Sequence, residues 1–237
     1  MGEGRAHGKY PGGLKGEVVS EQETSTSSGA PREMCYAIRA DRMPPIPLGK
    51  MTEAQKKVAA EIAAGPRGKV EGPYWPILRS PGFAGVIQNV GAYFRYRSPL
   101  DRRLNEMAAL IAARSWSQQF VWDVHILQAL DAGLEPDIAQ AIAEGRRPEG
   151  MDIEEETLWD FCAELLATKG VSDPTYEKAV AKFGESGVID ILGILGYYST
   201  LAMVMNVART ELLDGRLPPL DALPLQQRSV VSNPLRR

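Results

Sequence analysis

The stretch 104–134, LNEMAALIAARSWSQQFVWDVHILQALDAGL, decides the fold of this chain. Its apolar residues recur at helical spacing, which predicts two consecutive helices, the second ending at Gly133. That second helix contains His125, and the only other histidine is His7. His125 can be interpreted as a packed core residue, as a metal ligand or as the acid/base group of an enzyme.

The helical face around His125 is mainly apolar. Residues three, four and seven positions away on a helix lie beside a given residue. For His125 these neighbours are Val121, Trp122, Ala129 and Gln118, so the imidazole is expected to face the interior with one amide nearby. A histidine in that setting is either a hydrogen-bonded core residue or part of a buried site.

Glu106 lies on a similar face of the preceding predicted helix. Its neighbours Ala109 and Leu110 draw the carboxylate toward the interior, where an ionised group requires a partner. Arg102 and Arg103, one turn earlier, are possible partners. No ligand set for a metal is recognisable, because the predicted folded part lacks a second histidine.

The rest of the chain is also helical in pattern. No useful run of alternating apolar and polar residues occurs, so the predicted fold class is all-α. Residues 1–42 are predicted to be a disordered or extended N-terminal segment, residues 43–212 the helical domain, and residues 213–237 a proline-rich tail or arm. Signals for the ends of further helices include Thr52 with Gln55, Pro99, Asp173 with Pro174, and Gly184; a loop is predicted over 65–83.

Composition restricts the function classes. The 237 residues contain 27 basic and 30 acidic side chains, which does not favour a nucleic-acid partner. Cys35 and Cys162 fit neither a disulfide framework nor a zinc site, and together with the lack of a signal peptide they favour a cytoplasmic protein. The apolar stretch 187–207 contains Asp190 and Asn206, which favours a buried core or interface helix over a membrane span.

Residues from about Pro44 to Asn206 resemble the carboxymuconolactone decarboxylase family, which includes the alkylhydroperoxidase-like proteins. The stretch 104–134, followed by IAQAIAEGRRP, matches that family's pattern of a helical glutamate, a variable segment and a histidine before an AGL ending. Glu106 and His125 occupy the glutamate and histidine positions. The segments GPRG…GPYWPILRSPGF and FGESGVIDILGILGYYSTLAMVMN resemble its decarboxylase-like subgroup.

The chain departs from the alkylhydroperoxidase branch in the segment before the histidine. That branch has a Cys-x-x-Cys pair, whose thiolate attacks the peroxide. The matching positions here are Gln118 and Val121, so thiol peroxidase chemistry by this motif is not expected. Many decarboxylase-like members have a glutamate in YEWxxH where this chain has Val121 in FVWDVH.

The resemblance implies a cofactor-independent lyase that acts on a small carboxylated lactone or a related intermediate of aromatic degradation. Loss of carbon dioxide leaves an enolate that must be stabilised and protonated on carbon. The predicted catalytic residues are His125, as acid/base, and Glu106, which orients it. Predicted substrate-binding residues are Gln118, Trp122, Arg67, Arg79, Arg95 and Tyr197, with Tyr198 as an alternative wall of the pocket.

Two other interpretations stay open: an alkylhydroperoxidase-like protein that has lost its redox cysteines, and a non-catalytic small-molecule binder. For either, and for the lyase, the late apolar helix predicts a homo-oligomer, since such a helix is hard to hide inside a small monomer. The resemblance implies trimers or hexamers.

Overall fold

A computed structural model describes residues 40–212 and 219–221 of this chain. Within these ranges every regular element is helical, which confirms the predicted all-α class. The predicted segment 1–42 and tail 213–237 lie almost entirely outside the described residues. A 3-10 turn at Leu48–Lys50 precedes the helices α1 (Glu53–Ala64), α2 (Tyr74–Ile77), α3 (Pro81–Tyr96), α4 (Arg102–Ser115), α5 (Gln119–Asp131), α6 (Pro136–Ala143), α7 (Ile153–Thr168) and α8 (Asp173–Ala208).

Helix α4 lies in the middle of the domain, in contact with α5, α6, α7 and α8. Every residue from Leu104 to Arg114 is buried, which leaves no solvent-facing stripe on its last three turns. Four of these residues are alanines (Ala108, Ala109, Ala112 and Ala113), and their small side chains allow the surrounding helices to pack closely. Glu106 is therefore held in the centre of the core.

Helix ends follow local capping chemistry. The predicted capping box of Thr52 and Gln55 is confirmed at the start of α1, and a second box, Asp152 with Glu155, begins α7. The prediction that the α4 helix begins at Pro99 was wrong: Asp101 is the N-cap, because its carboxylate accepts a hydrogen bond from the backbone N–H of Arg103.

The predicted loop over 65–83 was too long. It contains the short helix α2, and α3 already begins at Pro81, whose fixed φ suits the first helical position. The N-cap of α8 is Ser172 and not Asp173.

Helix α8 is broken at Gly184, as the sequence predicted. The glycine has φ 68° and ψ 169°, a region that residues with a Cβ rarely enter, so the chain changes direction there. The apolar half that follows buries Ile191, Ile194 and Leu201 in the core, as predicted for a core helix.

By length and hydropathy alone α8 could also cross a membrane. Core helices meet the same criteria, and 56% of its most apolar window is buried against the rest of the described structure.

Candidate functional site

The carboxylate of Glu106 and the imidazole of His125 form a buried pair. His125 Nδ1 lies 2.5 Å from Glu106 Oε2, and both side chains are almost fully buried. Since Glu106 holds Nδ1, the opposite ring nitrogen, Nε2, is the one left to act on another molecule. A carboxylate that fixes the tautomer and orientation of a histidine is a recurring arrangement in acid/base sites.

The turn between α4 and α5 brings this pair together. Only residues 116–118 separate the two helices, and Ser117 adopts φ 48° within that turn. The side chain of Gln118 caps α5 by accepting a hydrogen bond from the N–H of Val121 at 2.9 Å. The chain thus reverses, and two faces that are distant in sequence meet inside the core.

Glu106 does not pair with the arginines of its own helix, which spacing along α4 suggested. Arg102 pairs with Asp131 at 3.1 Å, and Arg103 contacts Asp152 and Glu155 instead. Both arginines extend toward the ends of neighbouring helices and away from the core. Sequence spacing along α4 suggested an ion pair within one helix, but the partner of the buried carboxylate comes from α5.

His125 lines a cavity of about 320 Å³, whereas Glu106 lies behind it. The volume suits a small organic molecule. Tyr198 packs its ring edge-on against the imidazole, with 4.6 Å between ring centroids, and Tyr197 packs on Tyr198 at 5.0 Å. The other lining residues include Pro66, Arg67, Lys69, Glu71, Pro73, Tyr74, Arg95, Tyr96, Phe120, Val121, Val124, Leu201 and Met205.

A guanidinium and two phenols form the part of the cavity wall that lies beyond Tyr198 as seen from His125. The guanidinium of Arg67 lies 4.7 Å from the ring centroid of Tyr74 and donates to the hydroxyl of Tyr197 at 3.2 Å. The hydroxyls of Tyr74 and Tyr197 are 2.8 Å apart. Stacking on an aromatic ring and hydrogen bonding together fix the position of this guanidinium.

The charge balance of the cavity is positive. Arg95 donates to the amide oxygen of Gln128 at 2.8 Å, and among the described residues neither Arg67 nor Arg95 has a carboxylate within salt-bridge distance. Lys69 is paired with Glu71 at 2.8 Å. Two guanidinium groups without acidic partners favour an anionic ligand.

Two phenols of the cavity, those of Tyr74 and Tyr198, stay protonated. Burial, followed by the neighbouring Tyr197, raises the pKa of Tyr74 far above its usual range, and burial likewise raises the pKa of Tyr198. Both hydroxyls are therefore hydrogen-bond donors across the whole physiological pH range. The hydroxyl of Tyr198 is buried and has no hydrogen-bond partner among the described residues.

Three of the predicted substrate-binding residues do not line this cavity. The amide of Gln118 is used in the α5 cap and donates to Asn206 at 3.3 Å. Trp122 is buried in the core and does not line the cavity. Arg79 donates to the backbone oxygens of Trp75 and Pro44, at 2.9 and 2.8 Å, and lines a different, apolar groove.

Sequence reasoning missed several lining residues, of which Tyr74 is the most informative. Tyr74 falls within the loop predicted over 65–83, yet the helix α2 buries it against α8. The aromatic and glycine content of GPYWP was the available signal. Phe120 and Met205 gave no signal beyond ordinary core composition.

No cysteine among the described residues lines this cavity. Val121 lines it at one of the two motif positions that would require a cysteine. Cys162 is buried in α7, and burial raises the pKa of its thiol far above the usual range. Cys35 lies outside the described residues. Over the ranges 40–212 and 219–221, no group of three or more His, Cys, Asp or Glu side chains is arranged to hold a metal ion.

Comparison with known proteins supports the fold. No protein-family model matches the chain, and no curated protein matches it in sequence. A crystal structure from Agrobacterium tumefaciens is similar to it: a protein of unknown function, assigned only provisionally as the antioxidant defence protein AhpD. The similarity covers 57% of this chain and 94% of that one, with a TM-score of 0.52 and 19% sequence identity.

This chain has an AhpD-like all-α fold. At that level of identity the likeness establishes the arrangement of helices and leaves the activity open.

Proposed function

We propose that this protein is a cofactor-independent acid/base enzyme of the carboxy-lyase type, acting on a small carboxylated lactone or a related compound. The observation that supports this most is the contact between His125 Nδ1 and Glu106 Oε2 beside a cavity of small-molecule size. The guanidinium groups of Arg67 and Arg95, which have no carboxylate partner among the described residues, support a negatively charged substrate.

In the proposed reaction the bond between the carboxylate carbon and the ring breaks. Its electron pair passes into the conjugated carbonyl, which gives carbon dioxide and an enolate. The protonated imidazole of His125 donates its Nε2 proton to carbon, and Glu106 stabilises the imidazolium before that transfer. Arg67 and the hydroxyl of Tyr197 would stabilise negative charge on the substrate.

The test is carbon dioxide release from carboxymuconolactone and related carboxylated lactones. Replacement His125→Asn is expected to lower kcat by about a hundred- to ten-thousandfold, the usual contribution of a placed acid/base group. The matched control is His7→Asn, the only other histidine, which should leave the rate unchanged. Activity that survives in His125→Asn would contradict the proposal.

The alternative is an AhpD-like protein without redox cysteines, or a non-catalytic binder of small anions. The lack of a thiol among the described lining residues disfavours peroxide reduction at this cavity. Peroxide reduction with a dithiol reductant that persisted in the Cys162→Ala variant would favour the AhpD-like alternative, by a route that does not use Cys162. Ligand binding without turnover in all assays would favour the binder.

We also propose that the protein forms a homo-oligomer, a trimer or hexamer. Support comes from large apolar side chains exposed on two adjoining helices: Phe83, Val86 and Val90 on α3, and Ile189, Leu192, Met203 and Val207 on α8. Sedimentation equilibrium should give a multiple of the chain mass, reduced by Ile189→Glu. A mass equal to that of one chain would contradict the proposed oligomer.

Cytoplasmic localisation and the absence of nucleic-acid and membrane partners stay predictions.

A further inference from the structure

Gly91 lies in the middle of α3, at the point where the cation and phenols of the cavity meet the helix backbone. A Cβ built at this position would lie 2.1 Å from the hydroxyl oxygen of Tyr197 and 2.5 Å from Nη2 of Arg67. Atoms that are not bonded to each other do not approach so closely. The missing side chain therefore leaves the space in which the guanidinium and the hydroxyl form their hydrogen bond.

The two groups would respond differently to a methyl group in this space. Tyr197 is a rigid ring, 4% exposed and packed against Phe94 and Tyr198, so it can move little. Arg67 is half-buried and ends a flexible chain that has no carboxylate to hold it. The methyl group would strain Tyr197 most, and relief of that strain would separate its hydroxyl from the guanidinium, which would then lose its hydrogen bond and its fixed position.

The helix itself does not require glycine at this position. Gly91 has no left-handed backbone conformation, and glycine inside a helix is less favourable than alanine by about 1 kcal/mol. Gly85, two turns earlier in the same helix, would meet only Val58 Cγ2, at an ordinary 3.9 Å. The close approach at Gly91 is the feature that a side chain would destroy.

We propose that Gly91 is a specificity-determining position: by lacking a side chain it seats Arg67 at the cavity, and so selects anionic ligands. This inference rests on the proposed function only for the choice of ligand class. Gly91 touches no ligand itself and acts through Arg67, so it is a positioning residue. A side chain at this position should weaken the binding of anionic ligands and leave the Glu106–His125 pair unchanged.

The experiment measures binding without turnover. Calorimetry compares two ligands: a γ-butyrolactone ring that carries one carboxylate, and the uncharged methyl ester of the same compound. The proteins are wild type, Gly91→Ala, Arg67→Ala and the double variant, with Gly85→Ala as the matched control. We expect Gly91→Ala to bind the carboxylate about tenfold more weakly, the worth of one charge-assisted hydrogen bond, with the ester unaffected. Gly85→Ala should behave as wild type.

The double variant decides the mechanism. If Gly91 acts through Arg67, Gly91→Ala adds no further loss in the Arg67→Ala background. Additive losses, equal weakening of carboxylate and ester, or a wild type that does not prefer the carboxylate would each overturn the inference. Circular dichroism checks that every variant is folded. Because no turnover is measured, an inactive wild type would refute the proposed reaction and leave this result standing.

Discussion

The two ends of the cavity are built in opposite ways. The acid/base end, Glu106 and His125, comes from consecutive helices joined by a three-residue turn, and both groups are deep in the core. The cationic end collects Arg67 from the segment before α2, Tyr74 from α2 and Tyr197 from α8, which are up to 130 positions apart. Proximity in sequence makes the first end part of the folding core, whereas the second depends on the completed fold.

This difference predicts that the two ends contribute unequally to stability. Replacement Glu106→Ala leaves the buried imidazole without its partner, and breaking a buried pair costs about 3–5 kcal/mol of unfolding free energy. Arg67→Ala removes a half-buried cation without a carboxylate partner and should cost less than about 1 kcal/mol. Urea unfolding measures both. Equal losses would abolish the distinction between the two ends.

A smaller contrast is expected between two adjacent tyrosines. Tyr197→Phe removes two hydrogen bonds and leaves the hydroxyl of Tyr74 buried without a partner, which should cost about 1–3 kcal/mol. Tyr198→Phe removes a hydroxyl that has no partner and should be neutral or slightly stabilising. The two variants change the same atom in neighbouring positions, so thermal unfolding compares them directly. A large loss in Tyr198→Phe would show that its hydroxyl has a partner after all.

The smallest effect is expected outside the cavity, where Asp152 caps α7 and binds Arg103 of α4. Burial acts to raise the pKa of this carboxyl, but the N–H of Glu155 and the Arg103 guanidinium outweigh it and hold the pKa below its usual range. A depressed folded-state pKa stabilises the fold above the unfolded pKa, and that contribution is lost as pH falls through the folded value.

Removal of this cap by Asp152→Ala should cost about 1 kcal/mol near neutral pH and progressively less in acid. Asp152→Asn keeps an acceptor for the cap and serves as the control for charge. Urea unfolding over an acid pH series measures the difference. A cost in Asp152→Ala that stayed constant down to the lowest pH would contradict the assigned role of the carboxylate.

The contrast between the two ends also explains what the sequence could predict. The inward-facing positions of Glu106 and His125 follow from helical spacing, because their apolar faces are visible in 104–134. The pairing of Glu106 with His125 was expected from the family resemblance alone, because spacing within one helix points to Arg102 or Arg103 and cannot show which side chain arrives from the next helix.

The other end depends on tertiary packing. Side-chain chemistry predicts Arg67, Arg95 and Tyr197 for the substrate site, and these line the cavity. It equally predicts Arg79, Gln118 and Trp122, which lie elsewhere. Nothing local separates these two groups. Burial of Tyr74 and the close approach at Gly91 follow from how α2, α3 and α8 pack, which spacing along a single segment does not specify.

The buried Glu106–His125 pair is tested most directly by nitrogen and proton NMR of the imidazole of His125, because the chain has only one other histidine. The buried contact between Nδ1 and Glu106 predicts a strongly downfield Nδ1 proton that is lost in Glu106→Gln, while Nε2 responds to carboxylated ligands. An imidazole spectrum that resembles that of a solvent-exposed histidine, or one unchanged by Glu106→Gln, would contradict it.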